Sequence, residues 1–158
     1  MEIRHIQHSD NEALASVIRT VLVDLGVPKV GTAYADKALD CMYENYQSAN
    51  HAYFVIVEEG KILGGAGIAP LQEYQGPVCE LQKMYFLSDI RGKGLGSKMI
   101  EKCLSQARDF GFEQCYIETM PYMKAAQKLY QKMGFKYIDG PMGNTGHFSC
   151  PVHMILDL

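Results

Sequence analysis

Apolar residues Leu14, Val17, Ile18, Val21, Leu22 and Leu25 recur at intervals of three and four, which places one apolar stripe along a helix. Residues 9–26, SDNEALASVIRTVLVDLG, are therefore predicted helical, with Ser9 or Asp10 as N-cap and Gly26 as terminator. Before them, MEIRHIQ alternates like a short strand. A second, shorter helix is predicted over residues 35–46, between a turn at Gly31 and a polar turn at residues 48–50.

The period then changes. AYFVIVEEGKILGGAGIAPL reads as two β-rich runs joined by the hairpin turn EEGK, and VCELQKMYFL as a third strand. After a glycine-rich loop the helical period returns at Leu95, Met99, Ile100, Cys103, Ala107 and Phe110, and Gly111 ends it. EQCYIET is a further strand, Pro121 opens a helix that stops at Gly134, and FKYI and VHMILDL close the chain as strands. This order predicts an α/β fold: a mixed sheet with helices on both faces.

With 158 residues, the chain is read as one domain over 1–158, long enough to bury its own core. A net charge of −3 and no basic run outside the loop argue against nucleic acid as a partner. There is neither a membrane-length apolar run nor a leader pattern. Five widely spaced cysteines read as free thiols of a reducing compartment, hence a cytoplasmic protein.

The loop RGKGLG, starting at Arg91, puts glycines and two positive charges where a helix begins. That combination suits a phosphate, because helix-start amides lack partners and glycine lets the backbone approach a ligand closely. A P-loop is excluded, since Ser97 and Lys98 follow the last glycine in reverse order. A dinucleotide fingerprint is excluded because the spacing is G-x-G-x-G and the preceding strand comes from a hairpin.

The loop, its flanks ELQKMYFLSDIRGKGLG and the later segment AAQKLYQKMGF together resemble the GCN5-related N-acetyltransferases over essentially the whole chain. The resemblance implies a mostly antiparallel sheet and an acetyl group moved from acetyl-CoA to a primary amine by direct attack in a ternary complex. It implies that Arg91, Gly92, Lys93, Gly94, Leu95, Gly96 and Ser97 hold the pyrophosphate, and that Met84, Tyr85 and Phe86 receive the pantetheine arm along main chain. Glu80 takes the place of the general base, four residues before Met84 and on the same strand face; its alternative is a carboxylate on a wet sheet face or in a salt bridge with Lys83. Tyr130 takes the place of the acid that protonates the thiolate; its alternative is a packed core tyrosine.

One departure is visible. Many relatives place an asparagine after the strand that here ends YIET, where this chain reads TMPYM, so Thr119 or backbone would replace that contact. His147, Cys150 and His153 are spaced three and three, which on extended chain points the cysteine away from both histidines, so no metal is expected. Transfer through Cys79 or Cys150 would need an activating histidine, and none adjoins either cysteine in sequence. Tyr34, Tyr43, Tyr46, Glu118, Tyr122 and His147 are candidate acceptor residues, fitting a cationic amine on a small molecule, peptide or protein. A homodimer is compatible with the general preference for that state. The competing class is an acyl-CoA-binding sensor without turnover, which would have no use for both Glu80 and Tyr130.

Overall fold

In the computed structural model, which describes residues 1–27, 29–30, 33–146 and 149–158, the strands come in four groups separated by helical segments. In chain order the elements are β1 (Glu2–His5), α1 (Asn11–Asp24), α2 (Met42–Asn45), β2 (Ala52–Glu58), β3 (Lys61–Pro70) and β4 (Val78–Phe86). They continue with α3 (Leu95–Asp109), β5 (Gln114–Thr119), α4 (Lys124–Lys132), β6 (Lys136–Ile138) and β7 (Val152–Asp157). Among the described residues the strands form one seven-stranded sheet, ordered β1-β2-β3-β4-β5-β7-β6. Only β4 and β5 run parallel; the other neighbours are antiparallel.

Each face of the sheet is covered by the stripe its helix presents. Leu14, Ile18 and Leu22 of α1 pack with Leu39, Met42, Tyr53 and Val55 on one face. Met99, Ile100 and Cys103 of α3 and Tyr130 of α4 pack with Phe54, Ile56, Ile68 and Leu81 on the other. No helix of the described residues is long and apolar enough to cross a membrane.

Three local expectations need correction. Residues 35–46 are not one helix: short 3-10 turns over Ala33–Ala35 and Lys37–Cys41 precede the four-residue α2. Cys41 breaks the run with φ −135° and ψ 45°, while Arg19 of α1 takes Asp40 in two bonds of 2.6 and 3.0 Å. Tertiary anchoring to α1 thus overrides the local helical period. At the start of α1 Asp10 is the N-cap residue, but its side chain does not cap: a 3-10 turn occupies His8–Asp10, and the Asp10 carboxylate accepts from Arg4 and the Gln7 amide. Pro121 lies in a turn before α4, which begins three residues later, because Gln127 donates back to the carbonyls of Met120 and Pro121.

The segment Gly64, Gly65, Ala66, Gly67 of β3 has a specific packing role. A Cβ on Gly65 would lie 2.5 Å from the Tyr53 ring, and one on Gly67 2.5 Å from Tyr53 and 2.8 Å from Tyr46. The two rings, 5.0 Å apart, therefore cross β3 over a floor of bare backbone and reach β4. Gly67→Ala should destabilise the protein by about 1–3 kcal/mol through overpacking. A lowered denaturant midpoint in equilibrium unfolding is the expected reading, since the Ala52 carbonyl 2.8 Å away is backbone and cannot yield.

Candidate active site

The site begins where the sheet opens. β4 and β5 pair over Val78↔Gln114, Cys79↔Cys115 and Glu80↔Tyr116, and among the described residues no rung follows. Beyond Glu80 the two parallel strands diverge, leaving the β4 backbone without a ladder partner on that side. The cause is a bulge in β4. The β3–β4 register jumps from Gly67↔Gln82 to Gly65↔Tyr85, and Lys83 adopts φ 47°, a left-handed value uncommon for a residue with a Cβ.

Tyr53 holds this bulge in place: its hydroxyl, carried across the glycine floor, donates to the Lys83 carbonyl at 2.8 Å. The ring is 1% exposed, so the bond lies in a dry setting. Tyr53→Phe should leave that carbonyl short of a donor, relax the bulge and weaken acetyl-CoA binding about tenfold by titration calorimetry. The corresponding loss, about 1.4 kcal/mol, lies in the range of one buried hydrogen bond.

The bulge also overturns the expectation that Glu80 and Met84 share a face. The extra residue reverses the alternation, so Met84 and Phe86 join the α3 and α4 side with Leu81. Tyr85 packs on the α1 side with Tyr53. Ladder parity puts Glu80 and Gln82 on that same side, opposite Ala69 and Gly67. Thus the strand turns two side chains towards one wall and a phenol towards the other.

The loop after β4 leads into a helix start with left-handed glycines. Gly92 (φ 73°) and Gly94 (φ 76°) take left-handed conformations, and Gly94 is the N-cap of α3. The N–H groups of residues 92 to 97 have no partner among the described residues; the first helical bond is Lys98 N–H to the Gly94 carbonyl. Arg91 donates from Nε to the Phe86 carbonyl at 2.9 Å, tying the loop back to β4, and Lys93 is exposed. Leu95 is buried in the core, and Gly96 lets α3 approach α4: a Cβ there would be 2.7 Å from Leu129 and 3.6 Å from Met84.

Glu80 is 3% exposed, and Gln82 Nε2 donates to its Oε2 at 2.7 Å. Among the described residues no ion pair joins Glu80 to Lys83. Tyr46, Tyr116 and Cys150 lie within electrostatic reach of this carboxylate. Tyr130 is 6% exposed, yet its hydroxyl makes no hydrogen bond among the described residues. Burial, with Tyr85 adding to it, pushes the Tyr130 phenol well above its ordinary value, so it is protonated at neutral pH. Burial likewise pushes Tyr85 up to about 12, with Cys150 and Tyr122 contributing. Tyr85 is thus within electrostatic reach of Tyr130, Cys150 and Tyr122.

A second buried network lies on β5 and β7. The Tyr116 hydroxyl donates to Glu118 Oε1 at 2.7 Å and meets His153 Nδ1 at 2.9 Å, while Thr145 donates to Glu118 Oε2 at 2.6 Å. It fastens the loop before β7 onto the sheet. His153 is thus engaged with Tyr116, and His147 lies outside the described residues. Burial, followed by Glu118 and Glu80, raises the Cys150 thiol, which opposes a thiolate there. Thr119, the residue named for the place of the absent asparagine, is buried and its hydroxyl donates to Met123 Sδ at 3.4 Å. Tyr34 and Tyr43 pack on the α1 side, and Tyr34 borders a separate cavity of about 540 Å³ with Glu12, Arg19 and Asp40. Sequence reasoning missed Gln82, Lys83 and Tyr53; the run GGAG signalled a close approach, but not by which side chain.

The profile of the acetyltransferase (GNAT) family matches residues 21–135. The chain belongs to the acetyltransferase (GNAT) family. An Escherichia coli member, uncharacterized N-acetyltransferase YjgM, is 45% identical over 157 residues, covering 99% of this chain and 94% of its own. A Staphylococcus aureus Mu50 acetyltransferase of the GNAT family superposes with a TM-score of 0.86 at 20% identity, over 99% of this chain and 98% of its own. YncA of Salmonella typhimurium, a putative acetyltransferase solved with acetyl-CoA, gives a TM-score of 0.77 at 22% identity, over 100% of this chain and 94% of its own. In this GNAT chain, then, the opened β4–β5 cleft, the loop and the two buried side chains occur on a fold shared along its whole length.

Proposed function

We propose that this acetyl-CoA-dependent acetyltransferase moves acetyl groups to a primary amine in the cleft between β4 and β5, with Glu80 as base and Tyr130 as acid. The observation that carries the reading is the divergence of β4 from β5 directly after Glu80, in front of a helix start whose amides have no partner among the described residues. Those amides, with Lys93 and the outer nitrogens of Arg91, suit a pyrophosphate. The free β4 edge at Met84, Tyr85 and Phe86 offers main-chain groups to an extended amide-bearing arm, as an added strand would. Acetyl-CoA supplies the acyl thioester.

Around it the residues divide the proton work. An ammonium must lose a proton before the nitrogen can attack, and the Glu80 carboxylate takes it, directly or through a water. The departing sulfur needs a proton as the C–S bond breaks, and the Tyr130 hydroxyl, uncommitted and protonated, is the donor. A backbone N–H on the β4 edge stabilises the developing oxyanion. The acceptor belongs beside Tyr85, Tyr122, Cys150 and Glu118, which offer aromatic rings and a carboxylate to a cationic amine.

Thiol release from acetyl-CoA over a panel of primary amines and peptides, with mass detection of the acetylated product, tests the reading. Amine-dependent release is expected; tight acetyl-CoA binding with no release from any amine would make the protein a sensor. Tyr130→Phe refines the test, since it deletes one hydroxyl and keeps the ring. The loss should fall on kcat and shrink when an activated thioester with a more acidic thiol replaces acetyl-CoA. An equal deficit with both donors would limit Tyr130 to holding the donor.

A further inference from the structure

Resting on the reading of Glu80 as base, we propose that Gln82, anchored by Tyr46, is a positioning residue that keeps the Glu80 carboxylate ionised and in one rotamer. The chain of bonds is continuous. The Tyr46 hydroxyl donates to Gln82 Oε1 at 2.7 Å, and Gln82 Nε2 donates to Glu80 Oε2 at 2.7 Å. Both ends are buried, Tyr46 6% and Glu80 3% exposed. Gln82 precedes the bulge, so it shares the Glu80 face instead of being turned away with Met84.

The direction of these bonds matters. An amide side chain has one accepting and one donating end. With the Tyr46 hydroxyl on its oxygen, the –NH₂ must face the carboxylate, which is the arrangement an ionised acid requires. A flipped amide would set oxygen against carboxylate oxygen. Burial favours the neutral acid, whereas a donated hydrogen bond favours the charged form, so Gln82 offsets the cost of placing a base in a dry cleft. Among the described residues, groups that feel the Glu80 charge include Tyr46 from the end of α2, Tyr116 from β5 and Cys150 ahead of β7; burial raises all three, so these three stay neutral at neutral pH.

Tyr46 is placed for this task by the same floor that serves Tyr53: its ring lies against Gly67, where any Cβ would touch it. The link runs from α2, across β3, to the base. Movement of α2 on acceptor binding would therefore be felt at Glu80.

The test follows the Glu80 carboxyl carbon by ¹³C NMR in protein labelled at glutamate Cδ, with E80Q identifying the signal. In Q82M the protonation midpoint should rise by about one pH unit, the shift expected for losing one charge-assisted bond. Y46F should raise it by less, and should add nothing in the Q82M background, because Tyr46 acts through Gln82. A midpoint in Q82M equal to wild type overturns the proposal, as does a Y46F shift of the same size in both backgrounds. If Q82M does not fold, Q82N, which withdraws the amide by one methylene, must show the same upward shift; an unmoved midpoint there is equally fatal. Thiol release with the most active amine of the panel separates the two readings. Full turnover in E80Q overturns the base assignment itself, whereas an inactive E80Q with an unmoved Q82M midpoint overturns the role of Gln82 alone.

Discussion

Glu80→Gln is expected to lower kcat about 10²-fold or more while leaving acetyl-CoA affinity unchanged. The substitution keeps the volume of a side chain that is 3% exposed, so neither packing nor the β4 edge is disturbed. It also keeps an oxygen to accept from Gln82 Nε2, so the surrounding bonds persist. What disappears is the capacity to take a proton. The acidic limb of the kcat/KM profile, which reports the free enzyme's base, should vanish with it. A limb that stays at the same pH in the mutant would assign the proton to another group and leave Glu80 structural.

Gly94→Val should cost acetyl-CoA affinity tenfold or more, read by calorimetry, in a protein that still folds. A Cβ at Gly94 would meet nothing within 4 Å, so the fold does not need the space; only the left-handed φ of 76° opposes a side chain. That strain is about 1–2 kcal/mol. The bulk projects into whatever occupies the helix start from outside. Gly111, just beyond the other end of α3, provides the control: it has φ 85° and equally open space. Gly111→Val should destabilise the protein to a similar degree and leave acetyl-CoA affinity intact. Equal affinities in both variants would remove this loop as the pyrophosphate cradle.

The loop was legible because its signal is local: glycines in left-handed positions and a helix start lie within a few residues of one another. The stripes of α1 and α3 were legible for the same reason, with each period set by a single helix. The bulge was not. Lys83 carries no glycine or proline to announce a left-handed turn, and the bond that secures it comes from Tyr53 on another strand. Without the bulge, strict alternation put Met84 on the Glu80 face, and the error followed directly. Residues 35–46 failed in a related way, since Leu39, Met42 and Tyr46 have the helical period but Arg19 and Asn11 fix the intervening backbone from α1. Gln82 was invisible because its role depends on both ends of its amide being engaged, one of them by Tyr46, 36 residues away in sequence.

The position of the cofactor tests the account most directly. Acetyl-CoA titrated into ¹⁵N-labelled protein should shift the amides of residues 83–86 and 92–97, together with those of β5 after Tyr116. Shifts confined to the cavity beside α1 bordered by Glu12, Arg19, Tyr34 and Asp40, or no shifts at saturating acetyl-CoA, would contradict it.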